Sequence, residues 1–537
     1  MKLSYLKKAL LTLIIPLFIS NFTNSQNTDD KQNMQKLGIA YSAISKLYVD
    51  ETNDSKIVED AIKGMLEKLD PHSAYTNAEE TRKMNEPLEA NFDGIGIQFN
   101  MLNDTLYIVQ VIPGGPSEKI GLLAGDRIVE VDNTIIAGVS KQNTDIIKLI
   151  RGKKGTEVNI KVKRGLLSNL IDFKIIRDVI PVYSIDASFM ADSKTGYIRL
   201  SRFAASSMEE FEKAIIDLKK KGMKNLILDL QSNGGGYLHI ACALADQFLE
   251  KGKLVVYTQG NKTKRSDAIS TDRGLFKDGK IVILVDEFSA SASEIVSGAV
   301  QDWDRGVIVG RRTYGKGLVQ RPVELPDGSM IRLTVARYYT PSGRNIQKPY
   351  EAGNIEAYNH DLIDRYNKGE LMYADSVHFP DSLKYSTLVS KRTVYGGGGI
   401  MPDVFIPIDS TRNTEFHSKL IRLGVINKMA ISYLDKNRKE MIKKYPNIKN
   451  YKEKFIISDD ILKELIKMGE ENKIEFNEEQ FNKSKKFISL QLKAYIAQNL
   501  FDTSEYFQII NDISDNYQKA LQLINNEEEY YRIINGG

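Results

Sequence analysis

The stretch KIVILVDEFSASASEIVSGAV, residues 280–300, joins three sequence patterns. Its first part is a run of β-branched and other apolar residues, which favours a strand that is buried on both faces. Three serines alternating with alanines follow, and an apolar pattern with helical spacing comes next. The stretch therefore predicts a buried strand, a sharp turn and a helix, which is the repeating unit of an α/β layer.

Strand and helix patterns also alternate on both sides of this stretch. Before it come GYIRL, an amphipathic helix that begins near Ser206, NLILDL and the apolar helix around Cys242, and after it comes GVIVG. Repeated units with fully apolar strands predict an α/β fold with a buried sheet. We expect this core domain to occupy residues 167–408.

The 537 residues exceed what one hydrophobic core normally holds, so further domains are expected. Two amphipathic helices predict an N-terminal helical segment at 32–85. Short strands separated by glycines predict a small β-rich module at 88–166. Lys, Glu, Ile and Tyr at helical spacing predict a separate helical region at 415–537, whose role the sequence does not indicate.

The first residues, MKLSYLKKALLTLIIPLFIS, resemble a secretory signal peptide. Three lysines precede an uncharged apolar run that is short for a membrane span. We assign residues 1–25 to this signal and expect an exported protein of the periplasm or cell envelope. An uncleaved membrane anchor remains the alternative, because no A-x-A cleavage site follows.

Charge and cysteine content narrow the classes of function. The formal net charge is +4, and the three lysines of the signal account for most of it, so nothing favours nucleic acid as a partner. Cys242 is the only cysteine, which excludes an intramolecular disulfide. No His or Cys cluster has the spacing of metal ligands, so neither a metal nor another cofactor is expected.

The serine cluster has two interpretations. A serine on a sharp turn between a strand and a helix can act as a nucleophile, because the neighbouring backbone N–H groups can bind a developing oxyanion. Ser291 and Glu294 also form an S-x-x-E pattern, which caps a helix without any catalytic role. These residues alone leave both interpretations open.

A nucleophilic serine needs a base that takes its proton. The five histidines share no motif, whereas Lys316 in RRTYGKGLVQ lies between Gly315 and Gly317, which let backbones approach closely. A lysine base must be neutral, and burial in an apolar pocket favours that form by lowering the pKa. Gln320 would share a face with Lys316 in an extended segment and could orient its amine. A solvated surface lysine is the alternative.

The spacing of SASASEI, the GKG segment and Gln320 resembles that of the carboxyl-terminal processing proteases, also called tail-specific proteases. Matching segments extend over about residues 40–408. They are LDPHSAY, FDGIGIQF, GYIRLSRF, LILDLQSNGGG, ARYYTPSGRNIQ and VYGGGGIMPDV.

The resemblance implies a role for each site residue. Ser291 would be the nucleophile, Lys316 the general base and Gln320 its supporting residue. The N–H groups of Ala292 and Gly235 would form the oxyanion hole. Family members often have N-P-G-G where this chain has NGGG, which should loosen the loop without removing the donors.

The resemblance also implies a crotonase/Clp-protease-like core with an inserted PDZ domain at 88–166. In that domain the loop of Gly94, Ile95, Gly96 and Ile97 would bind the terminal carboxylate of a peptide. Side chains expected to line the apolar pocket are Ile95, Ile97, Ile146 and Ile150. Ordinary core packing is the alternative for these isoleucines.

The sequence thus predicts a serine endopeptidase with a Ser–Lys dyad, which binds C-terminal tails through its PDZ domain and cleaves near that end. Its expected partners are polypeptide substrates with apolar C-terminal tails, and an adaptor or a second copy of the chain is left open. Two rival functions remain, a catalytically silent PDZ scaffold and a hydrolase with a histidine-based triad. Loss of Ser291 or Lys316 would favour the scaffold, and both residues are present.

Overall fold

The computed structural model describes residues 26–102, 104–165, 167–409 and 414–537. The signal peptide assigned to residues 1–25 lies outside the described residues, so export stays a prediction. Among the described helices, none is both long enough and apolar enough to cross a membrane.

The described residues 26–69 belong to a unit of their own. Its described part consists of two helices, α1 (Gln26–Leu47) and α2 (Asp54–Leu66). Asn53 begins α2, because its side chain accepts a hydrogen bond from the N–H of Lys56 at 3.0 Å.

The second unit starts at Asp70 and contains the rest of the chain. Its first part is a strand and a helix followed by a small antiparallel domain, in which the strands at 97–102, 105–111, 126–131, 157–164 and 171–176 pair in this order. The sequence predicts this domain at 88–166, and the last of these strands lies beyond that boundary. The elements are β1 (Ala74–Thr76), α3 (Ala78–Glu89), β2 (Asn91–Gly94), β3 (Ile97–Leu102), β4 (Thr105–Val111), α4 (Pro116–Lys119), β5 (Asp126–Val131), β6 (Thr134–Ile135), α5 (Asn143–Ile150), β7 (Glu157–Arg164), β8 (Ile171–Ile176) and β9 (Asp178–Pro181).

The α/β core follows. Its elements are β10 (Ile185–Met190), β11 (Thr195–Leu200), α6 (Ser207–Lys220), β12 (Asn225–Asp229), α7 (Leu238–Asp246), β13 (Leu254–Gln259), β14 (Ser266–Ile269), β15 (Ile281–Val285), α8 (Ala292–Asp302), β16 (Val307–Gly310), β17 (Leu318–Glu324), β18 (Met330–Tyr339), α9 (Ile355–Asn367), β19 (Lys384–Ser386), β20 (Thr393–Tyr395) and β21 (Val404–Phe405). The main sheet has the order β10-β11-β12-β15-β16-β21 and is parallel except for β10. Helices α6, α7 and α8 cover one of its faces with an apolar layer. The α/β prediction is confirmed.

A second, antiparallel sheet lies in the same domain and has the order β1-β18-β13-β14, with β17 also paired to β18. Its strand β1 comes from the segment before the small antiparallel domain, and Ala74 pairs with Arg332. This pairing brings the sequence LDPHSAY next to the β17–β18 hairpin, which follows Lys316.

The C-terminal helices are of two kinds. Helices α10 to α15 form a hydrophobic core of their own, whereas α16 and α17 cover the second face of the main sheet. There the hydroxyl of Tyr530 lies 3.1 Å from N and 3.0 Å from O of Ile281. The last two helices are therefore part of the core and not of a separate region as expected. The helices are α10 (Glu415–Arg422), α11 (Val425–Lys444), α12 (Ile448–Lys454), α13 (Asp459–Glu471), α14 (Glu478–Leu500), α15 (Thr503–Ile510), α16 (Asp515–Asn525) and α17 (Glu527–Ile534).

Candidate active site

Ser291 occupies the turn between β15 and α8. Its backbone has φ +56° and ψ −111°, which residues other than glycine rarely adopt and which stores strain. The surrounding turn is held by two hydrogen bonds of 2.8 Å, from Ser289 Oγ to the carbonyl oxygen of Leu230 and from Ser293 Oγ to that of Asn233. Ser289 and Ser293 are fully buried, whereas Ser291 is partly exposed. The middle serine is thus the accessible one of the cluster.

Glu294 links the Ser291 turn to the loop that carries Lys316. Its Oε2 accepts the N–H of Ser291 at 2.8 Å and the N–H of Lys316 at 2.9 Å. Its Oε1 accepts the N–H of Gly315 at 2.7 Å and the hydroxyl of Thr313 at 2.5 Å. Burial raises the pKa of Glu294 to about 7, while the four donated hydrogen bonds favour the ionised form. The S-x-x-E pattern indicated a helix cap, and the structure adds this connection to the lysine loop.

Lys316 lies in the loop before β17 and is partly buried. Burial lowers the pKa of its amine, and the nearby charge of Arg332 lowers it further. The carboxylates of Glu294 and Asp70 raise the pKa but do not outweigh these effects. The lowered pKa makes the neutral amine, which is the form that a general base requires, easier to reach than in an exposed lysine.

The glycines on either side of Lys316 are required by close contacts. A Cβ on Gly315, where φ is +88°, would lie 3.1 Å from the backbone nitrogen of Gly399. A Cβ on Gly317 would lie 2.8 Å from the backbone nitrogen of Gln347. The prediction that these glycines let backbones approach closely is confirmed.

Gln320 lies on β17 opposite Thr334 of β18. Its Nε2 donates to Thr334 Oγ1 at 3.2 Å, and that hydroxyl donates to Asp70 Oδ1 at 2.9 Å. The extra residue of the bulge in this hairpin is Val335 on β18, and Lys316 lies before the first residue of β17, so strand alternation from Lys316 does not set the direction of the glutamine. Among the described residues no hydrogen bond joins Lys316 Nζ to Gln320, and their direct contact stays a prediction.

Gly235 lies directly against the Ser291 turn. A Cβ on Gly235, where φ is +102°, would lie 2.9 Å from Ser291 Cβ and 3.0 Å from the backbone nitrogen of Ala292. Ala292 begins α8, so its N–H has no acceptor within the helix. The N–H of Gly235 donates to Asn233 Oδ1 at 2.9 Å. Both predicted oxyanion donors therefore lie at the turn, but one of them has an internal acceptor.

His72 is the histidine whose surroundings include Lys316. Burial lowers the pKa of His72 to about 4, and the charge of Lys316 adds to this effect. Its Nε2 lies 2.8 Å from the hydroxyl of Tyr358. Among the described residues no histidine makes a hydrogen bond with Ser291, which gives the histidine-based triad no structural support.

The loop between β2 and β3 carries the predicted carboxylate site. The carbonyl oxygen of Ile95 accepts the N–H of Ser117 at 3.1 Å, and that of Gly96 accepts the N–H of Ile112 at 3.0 Å. The N–H groups of Ile95 and Gly96 have no acceptor among the described residues, and Gly94 belongs to β2, where it pairs with Asp178. Strand β3 is at the edge of its sheet. The loop thus offers N–H donors next to an open strand edge.

The four isoleucines expected at the peptide pocket are buried. Each of them is less than a tenth exposed, and all belong to the hydrophobic core of the small domain. They are Ile95, Ile97, Ile146 and Ile150. Their burial agrees with the alternative of core packing, and their contact with a bound peptide stays a prediction.

Four regions of the sequence match known families. Residues 194–356 match Peptidase family S41, and residues 94–175 match the PDZ domain. Residues 19–81 match the activating protease CtpB N-terminal domain, and residues 416–502 match a family of unknown function (DUF8443). The chain is a serine-type peptidase with a PDZ domain.

Individual proteins of similar sequence define the family of this peptidase more closely. A carboxy-terminal-processing protease of Bartonella bacilliformis is 36% identical over 330 residues, which cover 60% of this chain and 75% of that protein. A probable CtpA-like serine protease of Staphylococcus epidermidis is 34% identical over 341 residues, which cover 63% of this chain and 68% of that protein. The chain belongs to the carboxy-terminal-processing protease family. A solved structure of a photosystem II D1 C-terminal processing protease is 29% identical, with a TM-score of 0.33, and the match covers 57% of this chain and 88% of that one.

Proposed function

We propose that this protein is an endopeptidase with a Ser291–Lys316 dyad, which binds the C-terminal tails of polypeptides at its PDZ domain and cleaves near those ends. The observation that carries the proposal is the position of Glu294. One of its carboxylate oxygens accepts the backbone N–H of both Ser291 and Lys316. This shared acceptor keeps the nucleophile and the base together.

In the proposed reaction, Ser291 Oγ attacks the carbonyl carbon of the scissile peptide bond. The neutral amine of Lys316 takes the hydroxyl proton and then gives it to the leaving amine, which leaves an acyl-enzyme. Water, deprotonated by Lys316, attacks the ester and restores the serine. The partial burial of Lys316 supports this role, since burial disfavours the charged amine.

The developing oxyanion would be bound at the same turn. The N–H of Ala292 is the first of α8 and is directed out of the N-terminus of the helix, where the helix dipole favours negative charge. The N–H of Gly235 would be the second donor, and for this it would share its proton between Asn233 Oδ1 and the oxyanion. Such preorganised donors stabilise tetrahedral intermediates in acyl transfer.

The PDZ domain would bind the substrate tail. Two N–H groups of its loop, those of Ile95 and Gly96, have no acceptor among the described residues and would receive the terminal carboxylate. The tail would then extend β3 by adding a strand to its open edge. Substrates with a free, apolar C-terminus are therefore expected to be preferred.

The test is digestion of an unstructured protein that ends in an apolar residue, in a form with a free carboxylate and a form with an amidated C-terminus. The purified protein is compared with Ser291→Ala and Lys316→Ala, and circular dichroism verifies that each variant is folded. We expect cleavage of the free form to exceed that of the amidated form and both substitutions to abolish it.

Each part of the proposal has a contradicting result. Cleavage by folded Lys316→Ala at the original rate would mean that another group is the base. Equal cleavage of the two substrate forms would contradict tail binding. Absence of any cleavage by the unsubstituted protein would favour the PDZ scaffold.

A further inference from the structure

Asp70 lies in LDPHSAY, just before β1, and is almost fully buried. Its Oδ1 accepts the backbone N–H of His72 at 2.8 Å and of Ser73 at 3.0 Å, together with the hydroxyl of Thr334 at 2.9 Å. Its Oδ2 accepts the hydroxyl of Ser73 at 2.5 Å. These donors fix the carboxylate in one position next to β18.

The chemistry of these groups determines which end of the Gln320 amide lies next to Thr334. An ionised carboxylate only accepts hydrogen bonds, so Thr334 must donate its single hydroxyl proton to Asp70. The Thr334 oxygen then has only lone pairs to offer to Gln320. The atom of Gln320 that lies 3.2 Å from this oxygen must therefore be the donor Nε2, and Oε1 is the atom that lies away from Thr334.

The same face of the β17–β18 hairpin lies close to Lys316. Thr334 and Arg332 are two residues apart on β18, so both side chains lie on one face of the sheet. The Lys316 loop is held against this hairpin, because the hydroxyl of Tyr338 on β18 donates to the carbonyl oxygen of Lys316 at 2.6 Å. The charges of Arg332 and Asp70 also act on the pKa of the Lys316 amine.

We propose that Asp70 and Thr334 are positioning residues, which hold the Gln320 amide with its oxygen available to the amine of Lys316. This inference rests on the proposed Ser–Lys mechanism. An amide oxygen accepts an N–H of the amine and leaves the nitrogen lone pair free for the Ser291 proton. A reversed amide would donate to that lone pair and occupy the base.

Substitution of Thr334 tests the orientation. Thr334→Val keeps the shape of the side chain but removes the hydroxyl, so Gln320 loses the group that defines its orientation. We expect kcat to fall about tenfold with KM unchanged, which corresponds to the loss of one hydrogen bond. Thr334→Ser keeps the hydroxyl and should restore kcat to within about twofold of the original. Thr263→Val is the matched control, because the Thr263 hydroxyl also donates a hydrogen bond to this part of the sheet. Its acceptor, at 3.0 Å, is the carbonyl oxygen of Val335, the neighbour of Thr334 on β18.

Substitution of Asp70 tests the charge. The groups that act on Lys316 are Arg332 of β18, Glu294 of α8 and Asp70 itself, and Lys316 in turn lowers the pKa of His72. Because Asp70 raises the pKa of Lys316, Asp70→Asn should lower that pKa and move the acidic limb of the kcat profile to lower pH. Thr334→Val leaves the charge in place, so its acidic limb should not move.

The outcomes separate this inference from the proposed function. A kcat of Thr334→Val within about twofold of the original, or a Thr334→Ser variant as slow as Thr334→Val, would overturn the positioning role. An acidic limb of Asp70→Asn that stays in place or moves to higher pH would also contradict it. An inactive Lys316→Ala protein together with a fully active Thr334→Val protein would contradict only the positioning role. An active Lys316→Ala protein would contradict the Ser–Lys dyad itself.

Discussion

The turn at Ser291 and the loop at Gly96 are both glycine-assisted bends, yet their hydrogen bonding is opposite. At the Ser291 turn, buried side chains such as Glu294 and Asn233 accept most of the backbone N–H groups around Ser291. At the PDZ loop, the N–H groups of Ile95 and Gly96 have no acceptor among the described residues. The chain itself thus binds most donors of the first bend, whereas the two N–H groups of the second bend are not bound by the described residues.

This difference predicts different kinetic effects. Changes at the Ser291 turn should lower kcat for every substrate, because they alter the geometry of the reacting groups. Changes at the PDZ loop should raise KM, and only for substrates with a free C-terminal carboxylate. Peptide substrates in free and amidated forms therefore distinguish the two bends.

The largest effect is expected for Gly235→Ala. The new Cβ would lie 2.9 Å from Ser291 Cβ and would also force a side chain into a backbone with φ +102°. We expect kcat to fall about 10²- to 10³-fold on both substrate forms, as when an oxyanion donor is lost. Gly234→Ala is the matched control, since a Cβ there meets no atom within 4 Å. Equal kcat values for Gly235→Ala and Gly234→Ala would contradict the close packing of Gly235 against Ser291.

Glu294→Gln should come next. The amide keeps one acceptor oxygen but directs an NH₂ group at two donors, so the Ser291 turn and the Lys316 loop would separate. A misplacement of about 1 Å costs about 100-fold in rate, and we expect kcat to fall by that factor on both substrate forms. Glu209→Gln is the control, because Glu209 is an exposed glutamate in the first turn of α6. Unchanged turnover by a folded Glu294→Gln protein would show that this link is not needed.

Gly96→Ala should have a smaller and selective effect. Gly96 has φ +78°, and left-handed backbone costs a residue with a Cβ about 1–2 kcal/mol, so the loop should distort. We expect KM for the free-tail substrate to rise about tenfold and the amidated substrate to be unaffected. Gly138→Ala is the control, because Gly138 has a similar φ of +71° in the same domain and no atom lies within 4 Å of the added Cβ. A loss of kcat on both substrate forms would contradict the expectation that the PDZ loop affects only the binding of a free C-terminus.

Tyr338→Phe should have the smallest effect. The Tyr338 hydroxyl lies 2.6 Å from the carbonyl oxygen of Lys316 and 3.2 Å from that of Ser291. One hydrogen bond contributes about 0.5–1.5 kcal/mol, so we expect a loss of a few-fold in kcat on both substrate forms. Tyr339→Phe is the neighbouring control, because its ring stacks on Tyr257 away from these carbonyls. A loss of kcat on the free-tail substrate alone would contradict the expectation that Tyr338 acts at the Ser291 turn.

The local motifs alone left the roles of the serine and the lysine open, and the resemblance to the carboxyl-terminal processing proteases pointed to Ser291 and Lys316. The sequence did not indicate that Asp70 meets Thr334, since this contact depends on the pairing of β1 with β18 across a long stretch of chain. The alternation rule did not apply between Lys316 and Gln320 either, because β17 begins only after the lysine.

Apolar patterns show that a side chain is buried but not what it is buried against. Ile95 and Ile146 are buried in the core of the PDZ domain, as their apolar pattern predicts, and whether they also touch a bound peptide stays a prediction. Tyr530 belongs to the helical region that the sequence predicts to be separate, yet its hydroxyl makes hydrogen bonds with the backbone of Ile281 in the central sheet. Such partners follow only from the three-dimensional packing.

The Ser–Lys dyad is tested most directly by the rate at which a fluorophosphonate modifies the protein as a function of pH, with the modified residue located by mass spectrometry. We expect a single label on Ser291, at a rate that rises with pH as Lys316 loses its proton, with a midpoint below the ordinary pKa of a lysine. Lys316→Ala should remain unlabelled under the same conditions. A label on another residue, or equally fast labelling of Ser291 in Lys316→Ala, would contradict the Ser–Lys dyad.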